Sequence, residues 1–108
     1  MGFGMPSAMG AAVACPGAPV VAIVGDGGFQ MTMMEMATIR RCNLPVKVLI
    51  MDNKYLGMVR QWQELFFARR YSAVDLSDNP DFAALASLSG FAPFTLDQRD
   101  SIRATLEQ

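Results

Sequence analysis

A chain of 108 residues, 52% of them hydrophobic and with a formal net charge of −1, amounts to one small domain with ample material for a core. That near-neutral balance argues against nucleic acid or an anionic membrane surface as a partner, and no run approaches the roughly twenty apolar residues of a membrane span. With no histidine, and with Cys15 and Cys42 far apart, a zinc site is disfavoured.

Gly2-Phe3-Gly4-Met5-Pro6 reads as a loop, with Pro6 in the first turn of a helix that runs to about Cys15. Its small residues Ala8, Gly10, Ala11 and Ala12 suit close packing on a sheet or another helix. Pro16-Gly17-Ala18-Pro19 ends it. This N-terminal stretch is apolar, but it has no basic lead and its glycines are too dense for a signal peptide. Two buried free thiols in a reducing cytoplasm are therefore expected.

Val20–Val24 is a short β-branched run closed by Gly25-Asp26-Gly27-Gly28, and Val46–Met51 is a second such run bounded by Pro45. Short apolar runs with these borders predict buried strands. Between them, Gln30 to Arg41 sets apolar Met33, Met36, Ala37 and Ile39 among polar Thr32, Glu35, Thr38 and Arg40, a helical pattern with Arg40 and Arg41 in the last turn. Glu35 is expected to be solvated or capping. Strand, crossover helix and strand make a βαβ unit with parallel strands, so Asp26 and Asn53 both fall just past C-terminal strand ends. Open α/β sheets bind ligands at that edge.

A helix is expected from Met58 to Phe67, with an apolar stripe at Met58, Trp62, Leu65 and Phe66. Ala68 to Asp78, with Arg69 and Arg70, reads as a solvated connector. Asn79-Pro80 reads as the cap and first residue of a helix, Asp81 to Ser89, that stops at Gly90. Phe91 to Leu96 is a candidate third strand, demoted towards an edge by Pro93, and a last helix starts at Asp97 or Asp100 and runs to Gln108. Among the nine methionines, Met9, Met33, Met34, Met36 and Met51 are expected to fill gaps in a core or an interface. Repeats and low-complexity tracts are absent from the sequence.

Before Arg40 the sequence carries only two charged side chains, Asp26 and Glu35. An isolated carboxylate in an apolar, glycine-rich neighbourhood needs hydrogen bonds, a cation or a metal. A carboxylate and a side-chain amide at one loop edge are hard oxygen donors suited to Mg²⁺ or Ca²⁺. The glycines admit backbone N–H groups close to a ligand, and a following helix turns its positive end to the same place, which together describe a diphosphate site. The alternative stays open that Asp26 caps a helix in a tight turn and Asn53 is a turn residue.

Gly25-Asp26-Gly27, twenty-four residues, then Asp52-Asn53 resembles the thiamine-diphosphate signature. The flanks Met1-Gly2-Phe3-Gly4-Met5-Pro6, Glu35–Arg40, Asn43–Lys47 and Leu56–Gln63 resemble the catalytic subunit of acetohydroxyacid synthase, also called acetolactate synthase. The resemblance runs through Tyr71 and more loosely through Asn79-Pro80-Asp81-Phe82 to the end. It implies an incomplete three-layer α/β fold, an open parallel sheet with crossover helices, and one partial thiamine-diphosphate-binding domain over residues 1–108.

Carried over by position, the resemblance implies that Asp26 and Asn53 ligate Mg²⁺ through side chains and Tyr55 through its main-chain oxygen. Gly25, Gly27, Gly28, Leu56 and Gly57 would line the diphosphate. Met1 and Met58 would touch the aminopyrimidine ring, and Trp62 would shape the pocket for the second 2-ketoacid. The family decarboxylates pyruvate and joins the two-carbon unit to another 2-ketoacid, a step of branched-chain amino acid biosynthesis, with thiamine diphosphate supplying the hard chemistry. Asp52 stands where the family has an Asn, and Gly28 where it often has a Ser.

In that family a glutamate from the partner subunit's pyrimidine-binding domain activates the cofactor, and a middle domain holds FAD. Neither domain is in this sequence, so no catalytic residue is expected here, and the chain is expected to be truncated and inactive alone. It would act as a homo-oligomer or with a complementing chain. One rival is another thiamine-diphosphate-dependent decarboxylase or carboligase. A second is a non-catalytic binding or self-association module. A dinucleotide-binding Rossmann domain is disfavoured, because the glycine turn lacks that fingerprint's spaced third glycine and there is no P-loop Lys-Ser/Thr.

Overall fold

The computed structural model describes residues 1–107, so Gln108 lies outside the described residues. Two strands, β1 (Val20–Gly25) and β2 (Val46–Met51), pair in parallel with Val20 opposite Val46 and Gly25 opposite Met51. Helix α1 (Gly4–Ala14) precedes them, α2 (Asp26–Gln30) and α3 (Glu35–Arg41) form the crossover, and α4 (Gly57–Phe66) follows. Helix α5 (Phe82–Leu88) and a 3₁₀ turn (Arg99–Ser101) leading into α6 (Ile102–Leu106) complete the chain.

The expected βαβ unit is present, and its core lies on one side of the sheet. Ala22 and Val24 of β1 and Val46 of β2 are buried with Met5, Ala8 and Ala12 of α1, Phe29, Met36 and Ile39. The small residues of α1 permit this contact: a Cβ on Gly4 would run into Val24 Cγ1. Neighbouring strand positions point to the other face, where Val21, Ile23 and Met51 stay more than half exposed. The chain thus supplies one helical layer and two strands of a layered α/β fold.

The crossover is broken. Its first helix starts at Asp26, directly at the end of β1, and turns at Met31–Met34 separate it from α3. Hydrogen bonds Thr32 N to Phe29 O, Glu35 N to Thr32 O and Met36 N to Met33 O tighten the chain there to a three-residue pitch. Gly27 and Gly28 are accordingly helical, and a five-residue helix offers little of the macrodipole expected from a continuous one.

The predicted third strand at Phe91–Leu96 does not form. Gly90, at φ +80°, closes α5 with the bonds Gly90 N to Ser87 O and Phe91 N to Ala86 O, which turn Phe91 onto the core. Beyond it the chain meets no ladder partner, and Pro93 lacks a donor. Asp81, not Asn79, caps α5, accepting Ala84 N at 2.9 Å. The last helix begins later than expected, at Ile102.

Cys15 and Cys42 end their helices as expected but are exposed rather than buried. Met36 is buried and Met9 and Met33 pack on the core, whereas Met34 and Met51 are exposed because they face away from it. The connector after α4 is irregular but anchored: Gln63 Nε2 donates to Ser72 O at 3.0 Å and Gln63 Oε1 accepts Ser72 N at 3.1 Å. Val74 is buried, and Leu56 N to Val74 O and Leu76 N to Lys54 O stitch 74–76 to the loop after β2. Among the described residues no helix is long and apolar enough to cross a membrane.

Candidate functional site at the strand tips

Because Gly25 lies opposite Met51, the chain leaves both strands side by side, and residues 26 and 52 step off one edge. Asp26 opens α2 and is 1% exposed. Its carboxylate caps no helix N–H; Oδ2 instead reaches across to accept Lys54 N at 3.0 Å and Asn79 Nδ2 at 2.7 Å. The capping alternative is therefore not what Asp26 does, and two donors offset the cost of burying its charge.

Lys54 presents that N–H from a left-handed backbone, φ +64°, a conformation strained for a side chain of this kind. Its ammonium turns away, to Asp52 Oδ2 at 2.6 Å, and Asp52 Oδ1 accepts a second bond from Asn79 Nδ2 at 2.8 Å. Asn79 Oδ1 accepts Gln30 Nε2 at 2.7 Å, which fixes which end of the amide faces the carboxylates. Burial pushes the Asp52 carboxyl up, but the hydrogen bonds from Lys54 and Asn79, with the Lys54 charge, outweigh it and hold its pKa below the ordinary 3.8.

Asn53 is exposed, and its Oδ1 accepts Tyr55 N at 3.0 Å, the turn geometry kept open as an alternative. The Arg60 guanidinium carbon lies 3.9 Å from the centre of the Tyr55 ring and 5.0 Å from that of Tyr71. Leu56 packs over Gly27, where an added Cβ would come within 2.5 Å of Leu56 Cδ2. Gly57, which opens α4, would carry a Cβ 3.3 Å from Asn53 Nδ2. At Gly25 a Cβ meets only open space, and at Gly28 only Gly2 N, 4.0 Å away.

Thr32 Oγ1 ties Gly2 O at 3.1 Å, bringing the N-terminal residues to the same edge, with Met1 97% exposed. Met58 and Trp62 are also exposed, and Trp62 stacks obliquely on Phe66 at 5.2 Å. A concavity of about 390 Å³ lies elsewhere, beside Arg40 and Ser89, and one of about 430 Å³ is lined by Trp62 with Val59, Gln63, Phe67 and Arg70.

Sequence reasoning gathered residues 25–28 and 52–57 at one edge but missed Asn79 and Gln30. A proline after an asparagine signals a helix start, and nothing in the local pattern says that the amide turns back over fifty residues to Asp26. Among the described residues, no three His, Cys, Asp or Glu side chains cluster as a metal cage. A cation here would need carboxylate, amide, main-chain and ligand oxygens together, a donor set that fits Mg²⁺.

A buried carboxylate at one parallel strand tip, bonded to the loop that leaves the next, lies at the C-terminal sheet edge where open α/β domains bind their ligands. The chain belongs to the family described as "Thiamine pyrophosphate enzyme, C-terminal TPP binding domain", which matches residues 1–108. It is 50% identical over 107 residues to the acetolactate synthase isozyme 2 large subunit of Escherichia coli K12, covering 99% of this chain and 20% of that one. It is 46% identical over 108 residues to the probable acetolactate synthase large subunit of Methanocaldococcus jannaschii, covering 100% of this chain and 18% of that one. The chain thus spans about a fifth of the curated relatives it matches. A solved thiamine diphosphate-dependent 4-hydroxybenzoylformate decarboxylase from Rhodococcus jostii RHA1 shares the fold, with a TM-score of 0.87 at 23% identity, over 100% of this chain and 21% of that one.

Proposed function

We propose that this chain is the diphosphate- and Mg²⁺-holding part of a thiamine-diphosphate-dependent acetolactate synthase, acting on pyruvate and a second 2-ketoacid in the cytoplasm. The buried Asp26 at the strand edge carries the reading: a charge is kept in the interior where a glycine-flanked edge meets the loop that holds Asn53.

In this reading Asp26 and Asn53 hold Mg²⁺ with their side chains and Tyr55 with its main-chain oxygen. Gly25, Gly27, Gly28, Leu56 and Gly57 admit the diphosphate close to the backbone. Met1 and Met58 take the aminopyrimidine ring, and Trp62 shapes the acceptor pocket. Thiamine diphosphate, when bound, supplies the decarboxylation and carbon–carbon bond chemistry, and Mg²⁺ neutralises its diphosphate tail. The chain's own residues bind and orient.

Calorimetric titration of thiamine diphosphate with Mg²⁺ tests the reading. Heat is expected from the wild type and none from Asp26→Ala, and equal heats would remove the assignment. A second reading, a self-association module, is supported by the uncovered apolar stripe of α4 and the bare sheet face. Light scattering separates them: cofactor with Mg²⁺ leaves the size of a sticky oligomer unchanged.

A further inference from the structure

The Asp26 carboxylate is used unevenly. Oδ2 takes both the Lys54 N–H and the Asn79 amide, whereas among the described residues Oδ1 accepts no hydrogen bond. Asn79 is itself held from two sides. Gln30 Nε2 fixes its oxygen at 2.7 Å, and three residues on, the Phe82 ring meets Phe29 edge-on at 5.5 Å. Both anchors, Phe29 and Gln30, belong to the short helix that Asp26 opens. The same Asn79 nitrogen gives its second proton to Asp52 Oδ1, which brings together two carboxylates that would otherwise repel.

We propose that Asn79 is a positioning residue for the metal site: its amide bonds Oδ2 of Asp26 and Oδ1 of Asp52, leaving Oδ1 of Asp26 turned towards a divalent cation. Hydrogen bonds to the non-ligating oxygen of a carboxylate set its rotation and the direction of its remaining lone pairs. Asp52, neutralised by Lys54, then serves as the second post for the amide. This rests on the reading of Asp26 as a metal ligand.

The test titrates Mn²⁺, a paramagnetic stand-in for Mg²⁺, into the 108-residue chain with thiamine diphosphate and follows free Mn²⁺ by electron paramagnetic resonance. Asn79→Ala is expected to weaken binding about 10-fold or more, the usual scale for losing a partner of a metal-ligating carboxylate. Gln30→Ala is expected to weaken it less. Wild-type affinity in Asn79→Ala, with binding lost in Asp26→Ala, overturns the proposal while leaving the site intact. Wild-type affinity in Asp26→Ala removes the site itself.

A purely structural role is separated by nuclear magnetic resonance of the wild type, which also serves if Asn79→Ala fails to fold. Mg²⁺ with thiamine diphosphate is expected to shift the side-chain amide pair of Asn79 and leave that of Gln63 in place. An Asn79 pair that does not move overturns the proposal.

Discussion

Residues 1–51 and residues 52–107 are held by different balances of apolar burial and hydrogen bonding. The first region contains the two strands and every buried residue except Val74, so burial of apolar surface is what fixes it. The second has an amphipathic α4 with no buried residue; Phe82, Leu85 and Phe91 pack only partly buried against the core of the first, and hydrogen bonds from Lys54, Leu56, Gln63 and Asn79 supply the rest of its ties. Amphipathic patterning states which face of a helix favours burial; it does not state that the same chain supplies the cover.

The sharpest test of that contrast is a matched pair of truncations read by chemical denaturation. Ile39→Ala, at a site 2% exposed, is expected to cost about 2–5 kcal/mol, while Leu65→Ala, at a site 64% exposed, stays within about 0.5 kcal/mol. Comparable costs would mean that α4 is buried after all. Next in size, Gly4→Ala forces a methyl against the branched Val24 and is expected to cost about 1–3 kcal/mol.

On the hydrogen-bonded side, Gln63→Ala removes both bonds to Ser72 and is expected to cost about 1 kcal/mol, with amide exchange rising in residues 68–73 before it rises in the strands. The smallest effect belongs to Asp52. A carboxyl whose folded pKa lies below its unfolded value stabilises the fold above that unfolded value, near 3.8, and the contribution is lost as the pH falls through the folded pKa. Asp52→Asn should therefore slightly flatten the loss of stability below about pH 4, seen as a smaller drop in thermal midpoint between pH 5 and pH 3.

The sequence alone determined the βαβ unit and its edge. Two β-branched runs bordered by Gly and Pro have little choice but to be strands, though only one face of them is buried, and one crossover between them makes Asp26 and Asp52 neighbours whatever the rest of the chain does. Only the tertiary structure decided which side of the sheet is covered, where Asp26 points, and that Asn79 returns to meet it. Those outcomes depend on contacts between residues distant in sequence, such as Phe82 on Phe29 and Asn79 on Asp26, and no local propensity or periodicity encodes a partner that far along the chain.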